Sequence, residues 1–235
     1  MKKMILASTS TVHGSSYLEY LHEALRVFFK NSDEILFIPY ARPSGITYDA
    51  YTEIVKKGFE SLGKRVVGLH TFDTPKTAIE KAQAIFVGGG NTFVLVDTLY
   101  RENVMDALKD AINKGTPYLG CSAGSNIAGI SMQTTNDMPI VSPISYQTLG
   151  VIPLNINAHY IEPSKDSTHK GETRATRIKE YHCFQDTPVI GLREGSWLQV
   201  TDEEVVLKGG LDAPLFMKDK EVDYYPNLTN FFEVI

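Results

Sequence analysis

Short apolar runs alternate with amphipathic stretches through the first 120 residues, and this alternation constrains the fold more than any other feature. Residues 4–8, 34–39, 65–69, 84–87 and 118–121 read as buried strands. Helical patterns lie between them at 17–30, 48–62, 76–82, 92–101 and 104–114. The first carries Leu18, Leu21, Leu25 and Phe28 at three- and four-residue spacing, which marks one buried helix face. Gly63 stands where a C-cap is expected after the second. Such alternation predicts βαβ units, hence an α/β fold with a mostly parallel, doubly wound sheet and helices on both faces. The crossover rule then gathers the C-terminal ends of the strands, and the loops that carry chemistry, along one edge. The last third departs from this pattern. Residues 154–158 and 188–192 read as further central strands. Residues 197–201 with 205–207, and 215–217 with 221–225, read as hairpins, so a C-terminal antiparallel hairpin extension is expected.

The chain has 235 residues, which predicts one α/β domain over 1–235. A composition of 43% hydrophobic and 22% charged residues excludes a disordered chain, a collagen and a coiled coil. The net charge of −5 argues against a general nucleic-acid or anionic-membrane binder. Two cysteines, Cys121 and Cys183, are too few for a disulfide framework or a four-cysteine zinc site. The apolar run Met4-Ile5-Leu6-Ala7 is shorter than the roughly 7–15 residues of a secretory core. No stretch approaches the ~18 apolar residues of a membrane span. These features predict a soluble, cytoplasmic protein.

Gly120-Cys121-Ser122-Ala123-Gly124 is a G-x-S-x-G that follows a predicted strand and precedes a helix-like stretch at 125–130. This is the setting of a nucleophile elbow. Small neighbours leave room for a sharp turn, which pushes the serine hydroxyl out at a helix N-terminus that favours a developing anion. A tightly packed turn of small residues is the plainer alternative. Cys121 stands one residue off the apex and reads as core. Gly88-Gly89-Gly90-Asn91-Thr92 follows the fourth strand. Its spacing does not match the dinucleotide fingerprint G-x-G-x-x-G. A loop that turns backbone N–H groups toward an oxyanion or a substrate is the preferred reading, because it shares the edge of Ser122.

A nucleophilic serine needs a base. Of the six histidines, His22 and His182 fall in helical stretches, and His13 and His70 lie in loops with no partner pattern. His159 ends the strand 154–158 and should project from the same edge as Ser122; His169 is the second candidate. An acid must orient the imidazole, and Asp137 and Glu194 both qualify. Asp137 lies between serine and histidine, which gives the order Ser, Asp, His, whereas Glu194 follows a strand end. Sequence alone leaves both open. Arg174 falls in the first turn of a helix, where a cation opposes the dipole. A bound carboxylate would satisfy both; a solvated pair with Glu172 or Glu180 is the alternative.

Taken in order, G-G-G-N-T (88–92), G-x-S-A-G (120–124), T-T-N-D-M-P-I-V (134–141), I-N-x-H (156–159), H-K-G-E-T-R (169–174) and I-G-L-x-E-G-x-W (190–197) resemble the peptidase E family. These are aspartyl dipeptidases among the serine peptidases, family S51. The resemblance implies a fold related to class I glutamine amidotransferases, without metal or cofactor, and hydrolysis of dipeptides with an N-terminal aspartate. It implies Ser122 as nucleophile, His159 as base, and Asp137 or Glu194 as third member. It further implies Gly90 and Ala123 as oxyanion donors, and Arg174 and Asn91 as substrate contacts, Arg174 holding the aspartate side chain. The partner would be a small Asp-X peptide, with neither nucleic acid nor membrane, and the chain a monomer or homodimer. Two other functions remain in view at this point: a hydrolase of an aspartate-rich polymer, as in the sister family of cyanophycinases, and a non-catalytic module in which 88–92 cradles a phosphate.

Overall fold

A computed structural model describes residues 1–163 and 171–235. Its strands are β1 (Met4–Ala7), β2 (Glu34–Ile38), β3 (Arg65–Gly68), β4 (Ile85–Val87), β5 (Tyr118–Cys121), β6 (Asn155–Ala158), β7 (Val189–Leu192), β8 (Trp197–Val200), β9 (Val205–Lys208), β10 (Ala213–Phe216) and β11 (Asp223–Tyr225). Its α-helices are α1 (His22–Phe28), α2 (Tyr48–Glu60), α3 (Pro75–Lys81), α4 (Thr92–Arg101), α5 (Met105–Asn113), α6 (Ala123–Asn126) and α7 (Arg174–His182).

A seven-stranded sheet runs in the order β3-β2-β4-β5-β1-β8-β9. The first five strands are parallel; β8 and β9 add antiparallel beyond β1. Side chains alternate between its faces. Met4 and Leu6 enter one apolar cluster with Leu95 and Leu99 of α4, while Ile5 and Ala7 enter another with Val55 and Phe59 of α2. Both faces are therefore covered, and the strands read as unbroken apolar runs. Phe86 is fully buried beside Phe37 and Phe59, so its truncation to alanine should cost ~3–5 kcal/mol.

β6 and β7, expected as central strands, instead form a second sheet of order β11-β10-β7-β6. They are parallel to one another, and β10 and β11 continue antiparallel. Burial alone does not separate the two sheets, because Ile156 and Ile190 pack into the same cluster as Met4 and Leu6. Both expected hairpins form: β8–β9 extends the central sheet and β10–β11 the second.

Two helices depart from their patterns by more than two residues at one end. Leu18 takes a φ of +58°, so the chain makes a 3₁₀ turn over Glu19–Leu21 before α1 begins. α6 ends at Asn126 rather than 130. Gly129 abuts β6 closely there, and the N–H groups of Ile130 and Ser131 turn to the Asn155 side chain, each at 3.0 Å.

Register places the functional loops. Ala7 pairs with Cys121, and Val87 with Gly120, so Ser8, Gly88 and Ser122 leave the central sheet along one rim. Ala158 pairs with Leu192, which brings His159 and Arg193 to one rim of the second sheet.

Candidate active site

Ser122 joins β5 to α6 with φ +54° and ψ −111°, a conformation that costs an L-residue of order 1–3 kcal/mol. Its neighbours hold it there. Its N–H donates to the Ala7 carbonyl at 3.0 Å, and its carbonyl accepts from the Ser125 and Asn126 N–H groups at 2.9 Å. Any side chain at Gly120 would come within 2.5 Å of the Gly124 carbonyl, which explains the glycine. Gly89 lies across from the turn; a β-carbon there would sit 3.0 Å from that of Ser122.

His159 directly follows β6 and takes a φ of +56°. Its Nε2 lies 2.8 Å from Ser122 Oγ, and its Nδ1 lies 2.6 Å from Glu194 Oε1. With Nδ1 donating to the carboxylate, Nε2 is left as an acceptor for the serine proton. The side chains of His159 and Glu194 are 37% and 47% exposed, so the row opens to solvent.

Asp137 has a different position. Its Oδ2 accepts from the Thr92 N–H at 2.7 Å and from the Thr135 hydroxyl at 2.9 Å. Among the described hydrogen bonds none joins it to His159. A carboxylate at the start of α4 meets the positive end of the helix dipole, a sufficient local reason for an acid there. Asn91, expected at the substrate, is also engaged at both ends. Its Oδ1 caps α4 by accepting from the Val94 N–H at 3.1 Å, and its Nδ2 donates to the Met138 carbonyl at 2.8 Å. These two bonds anchor the 88–92 loop and leave the second Nδ2 hydrogen for a substrate.

The Gly90 and Ala123 N–H groups donate to no protein atom among the described residues. Ala123 is the first residue of α6 and so has no acceptor within the helix. Arg174 is the first residue of α7, which Thr173 caps by accepting from the Thr176 N–H at 3.1 Å. Its Nη1 is buried and unpartnered among the described residues. Burial lowers the guanidinium pKa, while the charges of Glu194 and Tyr160 act in the opposite sense. A partly desolvated cation whose Nη1 has no partner among the described residues is suited to an incoming carboxylate.

Cys121 is fully buried beneath the turn, and burial pushes its thiol pKa well up. It is inert core rather than a rival nucleophile. His70 pairs with Asp49 at 2.8 Å, and His182 is buried at the end of α7. His169 lies outside the described residues. Among the described residues, no group of three His, Cys, Asp or Glu side chains is placed to hold a metal ion. None of their helices is long and apolar enough to cross a membrane.

Several contributors carried no motif. Ser8 Oγ bridges the His159 N–H and the Leu192 carbonyl. Its place just after β1 was the available signal. Asn126 Nδ2 reaches the hydroxyls of Thr92 and Thr135 at 3.1 and 3.2 Å, and its Oδ1 accepts from the Ala158 N–H at 3.3 Å. Asn136 Nδ2 donates to the Ala158 carbonyl at 2.9 Å. These amides tie the 88–92 loop to the strand that carries His159.

The sequence and the fold also resemble those of known proteins. The model of peptidase family S51 matches residues 4–208. Peptidase E of Streptomyces coelicolor is 45% identical over 215 residues, covering 92% of this chain and 87% of that protein. A probable alpha-aspartyl dipeptidase of Drosophila melanogaster is 42% identical over 221 residues, covering 93% and 91%. The crystal structure of a peptidase from an acI-B1 actinobacterium superposes with a TM-score of 0.72, covering 98% of this chain and 96% of that one. At 17% identity that last likeness is one of fold. The family model and these relatives span most of the chain, which belongs to peptidase family S51.

Proposed function

We propose that this chain is a serine dipeptidase, one α/β peptidase domain that releases aspartate from Asp-X dipeptides in the cytoplasm. The observation that carries the reading is the hydrogen-bonded row of Ser122, His159 and Glu194, at 2.8 and 2.6 Å. The relatives named peptidase E and alpha-aspartyl dipeptidase support the substrate class.

In this mechanism His159 Nε2 takes the Ser122 proton as Oγ attacks the peptide carbonyl. Glu194 holds the imidazole in the required tautomer and stabilises the imidazolium that forms. The Gly90 and Ala123 N–H groups receive the oxyanion; losing one such donor typically costs about 2.7–4 kcal/mol. The C–N bond then breaks as His159 returns the proton to the leaving amine. Water, activated by the same imidazole, hydrolyses the aspartyl ester and regenerates Ser122. Arg174 pairs with the substrate's side-chain carboxylate. A neutral asparagine would leave that guanidinium unpaired, so discrimination of roughly 10⁴-fold is expected.

The test is aspartate release from Asp-Leu beside Asn-Leu and Glu-Leu, with wild type and Ser122→Ala. Asp-Leu should be cleaved selectively and only by the wild type. Wild-type turnover by Ser122→Ala would overturn the reading. Turnover of an aspartate-rich polymer without dipeptide turnover would replace it with the polymer hydrolase.

A further inference from the structure

The 88–92 loop is pinned on both flanks and bare in the middle. The Gly88 N–H donates to the Ile38 carbonyl at 3.2 Å, the Asn91 N–H to the Ala41 carbonyl at 2.7 Å, and the Thr92 N–H to Asp137 at 2.7 Å. The peptide between Gly89 and Gly90 has no side chain on either side. Two glycines leave its plane free to rotate, and Gly90, at φ +146°, already sits where other residues rarely go.

The orientation of that peptide decides the sign of the field in the site. In a trans peptide the Gly89 carbonyl and the Gly90 N–H point in opposite directions. One orientation offers a donor to the oxyanion. The flipped one offers a carbonyl oxygen, which repels it.

Among the described residues, one side chain grips this peptide from behind. The Tyr51 hydroxyl donates to the Gly89 carbonyl at 3.2 Å, in a buried setting. Tyr51 projects from α2, is 1% exposed, and is held edge-on by Phe37 with ring centroids 5.0 Å apart. The Arg42 guanidinium lies 5.1 Å from its ring centroid. Its hydroxyl tip also occupies the space a side chain at Gly88 would need, 2.5 Å from the β-carbon position. Burial raises the phenol pKa, so the group remains a donor throughout the neutral range.

We propose that Tyr51 is a positioning residue for the oxyanion hole: its hydroxyl latches the Gly89–Gly90 peptide so that the Gly90 N–H faces the reacting carbonyl beside Ser122. Tyr51 touches neither substrate nor nucleophile and acts through the peptide it holds. The proposal rests on the serine-peptidase reading above. It adds a residue that no motif announces, from an element remote from Ser122 in sequence.

Tyr51→Phe removes the hydroxyl and keeps the ring. With the latch gone, the peptide samples both orientations. One net hydrogen bond then predicts a fall in kcat of roughly tenfold, with KM for Asp-Leu within about twofold. An aspartyl aldehyde is the second probe. Ser122 Oγ adds to its carbonyl to give a hemiacetal whose oxygen fills the hole. Its inhibition constant should rise in step with the loss of kcat, while inhibition by free aspartate stays unchanged. The melting temperature is recorded beside each variant. A kcat within twofold of wild type overturns the proposal. So does an equal weakening of aldehyde and free aspartate, which marks general distortion of the site. Ser122→Ala is assayed in parallel. Its inactivity, with Tyr51→Phe fully active, removes the latch alone; its full activity removes the peptidase reading and the latch with it.

Discussion

The His159 N–H donates to the Ser8 hydroxyl at 2.9 Å, although 151 positions separate the two residues. Ser8 Oγ–H in turn donates to the Leu192 carbonyl at 2.7 Å. One buried hydroxyl at the rim of the central sheet thus holds the ends of both β6 and β7. Ser122 belongs to the first sheet and His159 and Glu194 to the second, so this bridge helps set their register.

Ser8→Ala should therefore affect stability and rate together. It leaves the His159 N–H and the Leu192 carbonyl without the serine, although the carbonyl keeps its bond from the Tyr160 N–H. An unsatisfied buried donor costs about 1–3 kcal/mol, which urea denaturation would measure. The positive φ of His159 also loses a restraint, and kcat should fall at least about tenfold, since small misplacements of catalytic groups are costly. Lost stability with unchanged kcat would show that the bridge does not position the imidazole.

The two acids of the site should answer differently to the same isosteric change. Glu194→Gln replaces the carboxylate on Nδ1 with an amide, which weakens the preference for the productive tautomer. A loss of about 10²–10⁴-fold in kcat is expected, the upper end belonging to triads more buried than this half-exposed pair. Asp137→Asn keeps an oxygen able to accept from the Thr92 N–H and the Thr135 hydroxyl. Its kcat should stay within about threefold, whereas Asp137→Leu should lower it by loosening the start of α4. If Asp137→Asn is as damaging as Glu194→Gln, Asp137 does more than hold the start of α4.

Much of this is legible in the sequence, for identifiable reasons. The parallel sheet was readable because both its faces are buried, so Ile35 to Ile38 and Ile85 to Val87 form unbroken apolar runs. The turn at Ser122 was readable because only small residues fit around it. The sequence does not assign β6 and β7 to the second sheet, because burial reports that a strand is covered, not which strand it pairs with. Their partners include β10, known only from long-range contacts. Asp137 and Glu194 could not be ranked because both occupy rim loops; the 2.6 Å contact to Nδ1 depends on the second sheet's register. Tyr51 was invisible, since one more aromatic on the buried face of an amphipathic helix reads as core.

Arg174 makes a prediction in which activity and stability diverge. The guanidinium is desolvated, and its Nη1 has no partner among the described residues. Arg174→Met keeps much of the apolar stem and removes the charge. Turnover of Asp-Leu should fall by roughly 10³-fold or more, because the carboxylate loses a charge-assisted, geometrically matched partner. The melting temperature should hold or rise, since a partly buried cation whose Nη1 has no partner among the described residues is removed. Arg174→Lys should recover only part of the activity, because an ammonium lacks the planar fork. Full activity in Arg174→Met would move carboxylate recognition elsewhere.

The buried thiol beneath Ser122 should weaken stability at alkaline pH. Burial raises the Cys121 pKa in the folded state, whereas an unfolded chain ionises near the ordinary value of about 8.5. Above that pH the unfolded state binds fewer protons than the native one, so the slope of stability against pH is negative. The contribution is complete below pH ~8.5 and is lost as pH rises toward the folded value. Each such group steepens the loss by up to about 1.4 kcal/mol per pH unit. Tyr40, raised to about 12, and the fully buried Tyr118 add to the decline above pH ~10. Denaturation midpoints of wild type and Cys121→Ala, measured from pH 7 to 11, isolate the thiol. At neutral pH the wild type should be more stable, because alanine leaves a void under the turn. From pH ~9 upward the gap should close as the unfolded wild-type chain gains its thiolate. A gap that stays constant across the range would mean that Cys121 ionises alike in both states.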